Sequence, residues 1–229
     1  MINKLQQFLY KNASIAFTIT GAMLFFIHAY LVGNLEGNTQ YRLWLFIFGA
    51  IQIGGGFIFG LYVQKLYTVA NTDFLTGLNN VNVFYRELDK HYENVLNNGH
   101  SLSLIIIDLD KFKSVNDNYG HLVGDKVLKG AAEILKLNIR EEDILARFGG
   151  EEFAIILPNT SLLQAMEIAE KLRYAFQTNH FSEVEQRITI SLGVTTYTEG
   201  MKKLELIKVA DDAMYRAKAK RNTVVSIVK

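Results

Sequence analysis

The sequence predicts an α+β domain, a sheet with helices packed on it, preceded by a hairpin of two membrane-spanning helices. Three observations carry that prediction. No Asp, Glu, Lys or Arg occurs between Lys11 and Glu36, or between Arg42 and Lys65. Beyond residue 70, short β-branched runs alternate with longer segments of helical period. Charge is partitioned accordingly: of 24 basic and 23 acidic residues, only Lys4, Lys11, Arg42, Lys65 and Glu36 precede residue 71. The C-terminal part therefore reads as a nearly neutral soluble domain. A net charge of +1 argues against a nucleic-acid partner. The absence of cysteine excludes disulfides and thiolate metal sites.

The first two elements follow from length. A helix needs ~20 apolar residues to cross a bilayer. Segments 13–33 and 43–63 meet that need, and only Asn34–Arg42 separates them. Residues 1–63 are expected to form a membrane anchor. A signal peptide fits poorly, because Gly33-Asn34-Leu35-Glu36 is no small-residue cleavage site and a second span follows at once. Lys4, Lys11 and Lys65 lie on one side and Arg42 on the other, which places both termini in the cytoplasm. Gly56 and Gly60 form a small-xxx-small pattern that suits dimerisation of the second span. His28, within the first span, reads as a satisfied or interface-facing histidine. Residues 64–72 contain no Gly or Pro, so the second span is expected to run on as a stiff helical linker.

The domain at 73–229 is then read in order. Asn82–Leu96 has a helical period, Ser103–Ile107 suits a buried strand, and Val123–Asn138 is helical. Leu145–Phe148 and Phe153–Leu157 flank Gly149-Gly150 as a β-hairpin. Leu162–Thr178 is helical, Arg187–Thr196 a strand, Leu204–Lys220 helical, and Thr223–Val228 a closing strand.

Two short stretches carry chemistry. Asp108-Leu109-Asp110 follows a buried strand directly, a common way to hold a divalent cation with hard oxygen ligands. Glu151 and Glu152 sit at a tight turn after two glycines, which permit positive φ and leave room for a ligand. Carboxylates converging from both places would repel one another without a cation.

Together with two further segments, these stretches resemble the GGDEF family of diguanylate cyclases. Asp73–Asn79 (DFLTGLN) looks like the family's entry motif, and Asp108–Asp125 (DLDKFKSVNDNYGHLVGD) like its nucleotide-binding stretch. Gly149–Phe153 is the signature in its GGEEF form, and Asp212–Lys218 (DAMYRAK) looks like the phosphate-contacting helix. The resemblance covers residues 70–229 and none of the hairpin. It implies a palm-like nucleotidyl-cyclase fold with a central, mostly antiparallel sheet flanked by helices. It implies two GTP molecules joined into cyclic di-GMP at a homodimer interface. Asp108, Glu151 and the Leu109 carbonyl would hold Mg²⁺ or Mn²⁺, two per active site, with Glu152 joining the shell or deprotonating the 3′-hydroxyl. Asn116 and Asp125 would read guanine, backbone N–H groups at Phe112 and Lys113 would cradle phosphate, and Lys218 and Arg221 would neutralise it. The implied location is the bacterial inner membrane, with the catalytic domain in the cytoplasm and an unidentified membrane or periplasmic signalling partner as one source of input.

Arg140-Glu141-Glu142-Asp143 matches the family's inhibitory RxxD site for product, with Lys171 or Arg173 as a candidate second arm. His121, in a glycine-flanked turn, reads as structural. Two departures stand out. Lys218-Ala219-Lys220-Arg221-Asn222 is one residue short of the family's usual spacing, which includes a glycine. Asn80 stands where Arg is common. The shortened segment supports the rival expectation, a catalytically degenerate module that binds GTP or cyclic di-GMP and signals by contact.

Overall fold

The computed structural model describes residues 8–33, 39–182 and 184–228. The chain divides into two compact units, Met1–Ala70 and Asn71–Lys229.

The first unit is an antiparallel helix pair, α1 (Ala13–Gly33) and α2 (Thr39–Asn71). Both are long and apolar enough to cross a membrane. Only 11% of each candidate span is buried, whereas the core helix of a soluble protein is mostly buried. The 33 residues of α2 extend ~50 Å, beyond the ~30 Å of a hydrocarbon core. Helix α2 runs on past residue 63 as far as Asn71. Of the expected outer loop, Thr39–Arg42 is already helical, and 34–38 lie outside the described residues.

Gly56 and Gly60 of α2 are spent within the hairpin. A Cβ on Gly56 would lie 2.6 Å from the Phe17 carbonyl oxygen, and one on Gly60 would lie 2.6 Å from that of Ala13. The face of α2 that suits dimerisation is thus where α1 packs. Phe17 meets Phe59 edge to face at 5.0 Å, and His28 packs its ring on Phe48 at 5.3 Å.

The second unit is a five-stranded sheet between two helical layers. Its order is β2-β3-β1-β4-β5, with β1 (Leu102–Leu109), β2 (Ile144–Arg147), β3 (Glu152–Pro158), β4 (Ile190–Thr196) and β5 (Val224–Ser226). All pairings are antiparallel except β4 with β5. Strand β1 is central and buried along its whole length, which explains its apolar run Leu104–Ile107. Successive side chains point to opposite faces. Ile105, Ile107 and Leu109 join Phe153 and Ile155 under α4 (Phe112–Tyr119), α5 (His121–Leu137) and α6 (Leu162–Thr178). Leu104 and Ile106 join Ala154 and Ile156 under α3 (Val81–Asn98) and α7 (Lys203–Lys220). Helix α7 lies so close to the sheet that a Cβ on Gly193 would strike the Met214 amide and the Ala210 carbonyl.

One helix was not foreseen. Helix α4 buries only Phe112 and Val115 and is rich in Asn and Asp, which compete with helix formation in isolated chains. His121 is the first residue of α5, not part of a turn.

Candidate active site

Asp108 is the last but one residue of β1 and pairs in register with Glu152, the first residue of β3. Parity with Leu104 and Ile106 aims Asp108 at the α7 face, at the open end of that layer. The Asp108 side chain is only 1% exposed. Lys218, on the last turn of α7, donates to its Oδ2 at 2.6 Å and stands 3.7 Å from Glu151 Oε1. Asp108 Oδ1 is buried with no hydrogen-bond partner. Glu151 is tied in through its backbone, its carbonyl accepting from the Leu109 N–H at 3.3 Å.

The electrostatics describe a site short of positive charge. Burial raises the Asp108 carboxyl above the usual range, against the hydrogen bond and charge of Lys218. Glu151 is raised by burial and then by Asp108, and Glu152 by burial, Asp108 and Asp211. Burial acts against the Lys218 ammonium, but the hydrogen bond to Asp108 and the surrounding carboxylates outweigh it and raise its pKa. One lysine thus serves three acids.

This donor set fits a hard divalent cation: oxygen ligands, excess negative charge, and an orphaned buried carboxylate oxygen. Among the described residues no three such groups stand close enough to chelate a cation as placed. Lys218 holds the position beside Asp108 and Glu151 instead.

Asp110, two residues on, is different. Its carboxylate accepts from Thr189 Oγ1 at 2.6 Å, Ser191 Oγ at 2.6 Å and the Asn222 N–H at 2.8 Å. It is structural, and it fastens the end of β1 to the turn after α7.

The signature turn is braced by a residue that the sequence did not single out. Arg147 contacts both oxygens of Asp73, at 3.0 and 3.2 Å, and donates to the Gly150 carbonyl at 2.6 Å. Thr76 donates to Asp73 from its N–H and its hydroxyl. Asn79 donates to the Leu145 carbonyl, and its own carbonyl accepts from the Arg147 N–H. The entry motif is therefore a clamp on β2 just ahead of the turn. Neither turn glycine has positive φ. A Cβ at Gly149 would lie 2.7 Å from Glu152 Oε2, so a larger residue there would move that carboxylate.

The expected nucleotide residues line the neighbouring elements. Lys111 adopts a left-handed conformation that starts α4 and leaves the Phe112 and Lys113 N–H groups at its free N-terminus. The Phe112 side chain is in the core, so only its backbone is available, while Lys113 is exposed. Asn116 Oδ1 lies against Gly124, where any Cβ would collide with it. Asn116 and the half-buried Asp125 thus flank the α4–α5 junction. Arg221 caps α7 at φ 60° and ψ 160°, a region essentially confined to glycine.

The RxxD site is closed on itself. Arg140 Nη2 donates to Asp143 Oδ1 at 2.8 Å and to Thr160 Oγ1 at 2.7 Å, and its Nε to Asp143 Oδ2 at 3.3 Å. A groove of about 410 Å³ beside it is lined by Gly77, Asn79, Lys136, Arg140 and Asp143, among others. Lys171 reaches the Asn138 carbonyl at 3.3 Å on this side. Arg173 does not serve as an arm here, because its Nη1 donates to Asn222 after α7.

At one strand end of a central sheet, carboxylates meet a lysine, and a helix N-terminus stands on the next element. Residues 70–223 match the family described as "Diguanylate cyclase, GGDEF domain", and the chain belongs to it. It is 41% identical over 163 residues to the response regulator PleD of Caulobacter vibrioides, covering 69% of this chain and 36% of that protein. It is also 41% identical over 151 residues to the diguanylate cyclase DgcP of Pseudomonas aeruginosa, covering 65% of this chain and 22% of that one. The chain thus spans about a third or less of the length of these two curated relatives. In three dimensions it resembles the coiled coil and GGDEF domain of DgcB from Caulobacter crescentus, solved in complex with c-di-GMP. The TM-score is 0.69 at 28% identity, over 72% of this chain and 90% of that one.

Proposed function

We propose that this chain is a membrane-anchored diguanylate cyclase that condenses two GTP into cyclic di-GMP and two pyrophosphates across a homodimer. The observation that carries the proposal is the cluster of Asp108, Glu151 and Glu152 around Lys218, with Asp108 Oδ1 unpartnered. Asp108, Glu151 and the Leu109 carbonyl would hold Mg²⁺ or Mn²⁺. When bound, such cations stabilise charge on the attacking and leaving oxygens of a phosphoryl transfer.

The chain's own residues do the remaining work. The N–H groups at the start of α4 hold phosphate, and Lys218 swings from Asp108 to the triphosphate. Arg221 is the weaker candidate, given its constrained backbone. Asn116 and Asp125 accept from the guanine N1–H and N2–H₂, which adenine cannot offer together. Glu152, its pKa raised by burial and by Asp108, is suited to take the proton of the 3′-hydroxyl. Each 3′-hydroxyl attacks the α-phosphate held by the other protomer, so catalysis consists of positioning and charge stabilisation. Arg140 and Asp143 form a product site that opens when the guanidinium exchanges Asp143 for a phosphate or a guanine acceptor. Residues 1–63 anchor the chain in a bacterial inner membrane, residues 64–72 link them to the domain at 73–229, and that domain lies in the cytoplasm.

The test is incubation of full-length protein with GTP and Mg²⁺, with chromatography of the products, beside Glu152→Ala. Cyclic di-GMP from the wild type alone supports the reading. Absence of product with GTP or cyclic di-GMP still bound moves the assignment to a nucleotide-sensing module.

A further inference from the structure

The turn after α7 has a backbone that its sequence does not favour. Arg221 lies at φ 60° and ψ 160°, and Asn222 follows at φ 43°. The first is a conformation that essentially only glycine adopts, and the second is left-handed. Non-glycine residues keep such conformations where the surroundings over-determine them. The Arg221 N–H donates to the Ala217 carbonyl at 2.8 Å, and two further contacts hold Asn222. Its N–H donates to Asp110 Oδ2 at 2.8 Å, and its Oδ1 accepts from Arg173 Nη1 at 3.1 Å.

Both anchors are themselves fixed. Asp110 is buried and held by the Thr189 and Ser191 hydroxyls, each at 2.6 Å. Arg173 donates from Nε to Glu170 and from Nη1 to Gln177, each at 2.7 Å. Lys218 precedes the turn by less than one helical turn, and its ammonium must reach Asp108 at 2.6 Å. The setting of the last turn of α7 therefore decides where Lys218 points.

We propose that Arg173 is a positioning residue: through Asn222 it holds the end of α7, and so Lys218, over the Asp108 cluster and the phosphates of a bound nucleotide. Asp110 is the second anchor of the same turn. The proposal rests on the cyclase reading above. Lys218 touches phosphate already in the ground state under that reading, so its displacement weakens substrate binding more than turnover.

The experiment uses the full-length chain in detergent or nanodiscs, with Arg173→Ala, Arg173→Lys, Asn222→Gly and the double variant Arg173→Ala/Asn222→Gly. Glycine accepts the native φ at position 222, so Asn222→Gly removes only the amide contact. Arg173→Ala and Asn222→Gly are each expected to raise KM for GTP roughly tenfold, with kcat within about twofold of wild type. The double variant is expected to be no worse than either single one, because both remove one contact. Arg173→Lys restores part of the loss, since an ammonium can still donate to Asn222 Oδ1.

A lowered Tm with unchanged KM, or KM effects that multiply in the double variant, would overturn the proposal and leave Arg173 a packing residue. If Arg173→Ala does not fold, Asn222→Gly and Arg173→Lys carry the same comparison. A wild type that makes no cyclic di-GMP removes the cyclase reading instead. Affinity for a fluorescent GTP analogue then replaces KM, with the same pattern expected and the same pattern overturning it.

Discussion

The acid cluster at the end of β1 and two clamps, one behind the signature turn and one at the opposite end of β1 and β3, use acidic and basic side chains to opposite ends. Asp73 takes two hydrogen bonds from Thr76 and a two-oxygen contact from Arg147, and Asp143 takes a two-pronged contact from Arg140. Asp108 has one lysine, shared with Glu151, and one oxygen with nothing. Clamps with both carboxylate oxygens partnered give rigidity. A cluster left short of charge gives affinity for whatever supplies it, because buried carboxylates are costly unless compensated. The difference separates the residues that build the site from those that would act in it.

The largest expected effect breaks the comparison at Asp108. Asp108→Asn removes a cation ligand worth several kcal/mol in the transition state, so cyclic di-GMP synthesis falls roughly 10³-fold. Arg140→Ala leaves the rate at low product near wild type and abolishes inhibition by added cyclic di-GMP. Progress curves with and without added product distinguish them, and full inhibition of Arg140→Ala would remove the product-site assignment. Arg140→Ala also strips two side-chain contacts from the buried Asp143, at a cost of about 2 kcal/mol in denaturant unfolding.

Mg²⁺ binding sharpens the comparison without turnover. A ligand at a hundredfold over its Kd stabilises the folded state by about 2.7 kcal/mol. Wild type and Arg140→Ala should both gain Tm with Mg²⁺ in the absence of nucleotide, and Asp108→Asn should gain none. An equal gain in all three would place the cation elsewhere.

A smaller effect is expected at the base-reading junction. Gly124→Ala forces Asn116 Oδ1 from its place. KM for GTP is expected to rise about tenfold, the scale of one hydrogen bond to an unpaired polar group. An unchanged KM would remove Asn116 from guanine recognition.

The sequence makes the sheet and most of the helices legible because their hydrophobic periods are long and clean. Strand β1 was readable from its apolar run Leu104–Ile107, and α6 from Leu162 to Thr178 as an amphipathic period. Helix α4 was not, because FKSVNDNY buries two side chains and draws its stability from the core beneath them. The cluster residues were legible as motifs. The roles of the two Asp-x-Asp carboxylates were not, since only three-dimensional neighbours show that Asp110 is satisfied and Asp108 is not. Arg147 escaped, and Arg173 was read only as a candidate arm of the RxxD site, for the same reason: their partners lie 74 and 49 positions away in the chain. The shortened segment before Arg221 was visible by resemblance to the family pattern, but the positive φ of Arg221 and Asn222 was not.

The smallest effect is one of pH, and it has opposite signs in the two regions. Burial raises the carboxyl pKa values of Asp108, Glu151 and Glu152 in the folded, metal-free protein. Their contribution to stability is therefore full below the ordinary carboxylate range and is lost as pH rises through the raised values. Asp73 is also desolvated, but its Thr76 hydrogen bonds and Arg147 outweigh burial and lower its pKa. Its contribution is present above the unfolded value and is lost as pH falls through the depressed one. Metal-free Asp108→Asn should thus be at least as stable as wild type at neutral pH, with the advantage shrinking as pH falls. Asp73→Asn should be less stable at neutral pH, by about 1–2 kcal/mol, and should converge with wild type in acid. Urea unfolding in chelator across that range checks both. A neutral-pH loss in Asp108→Asn as large as that in Asp73→Asn would mean that Lys218 fully compensates Asp108 and that the cluster is a clamp like the others.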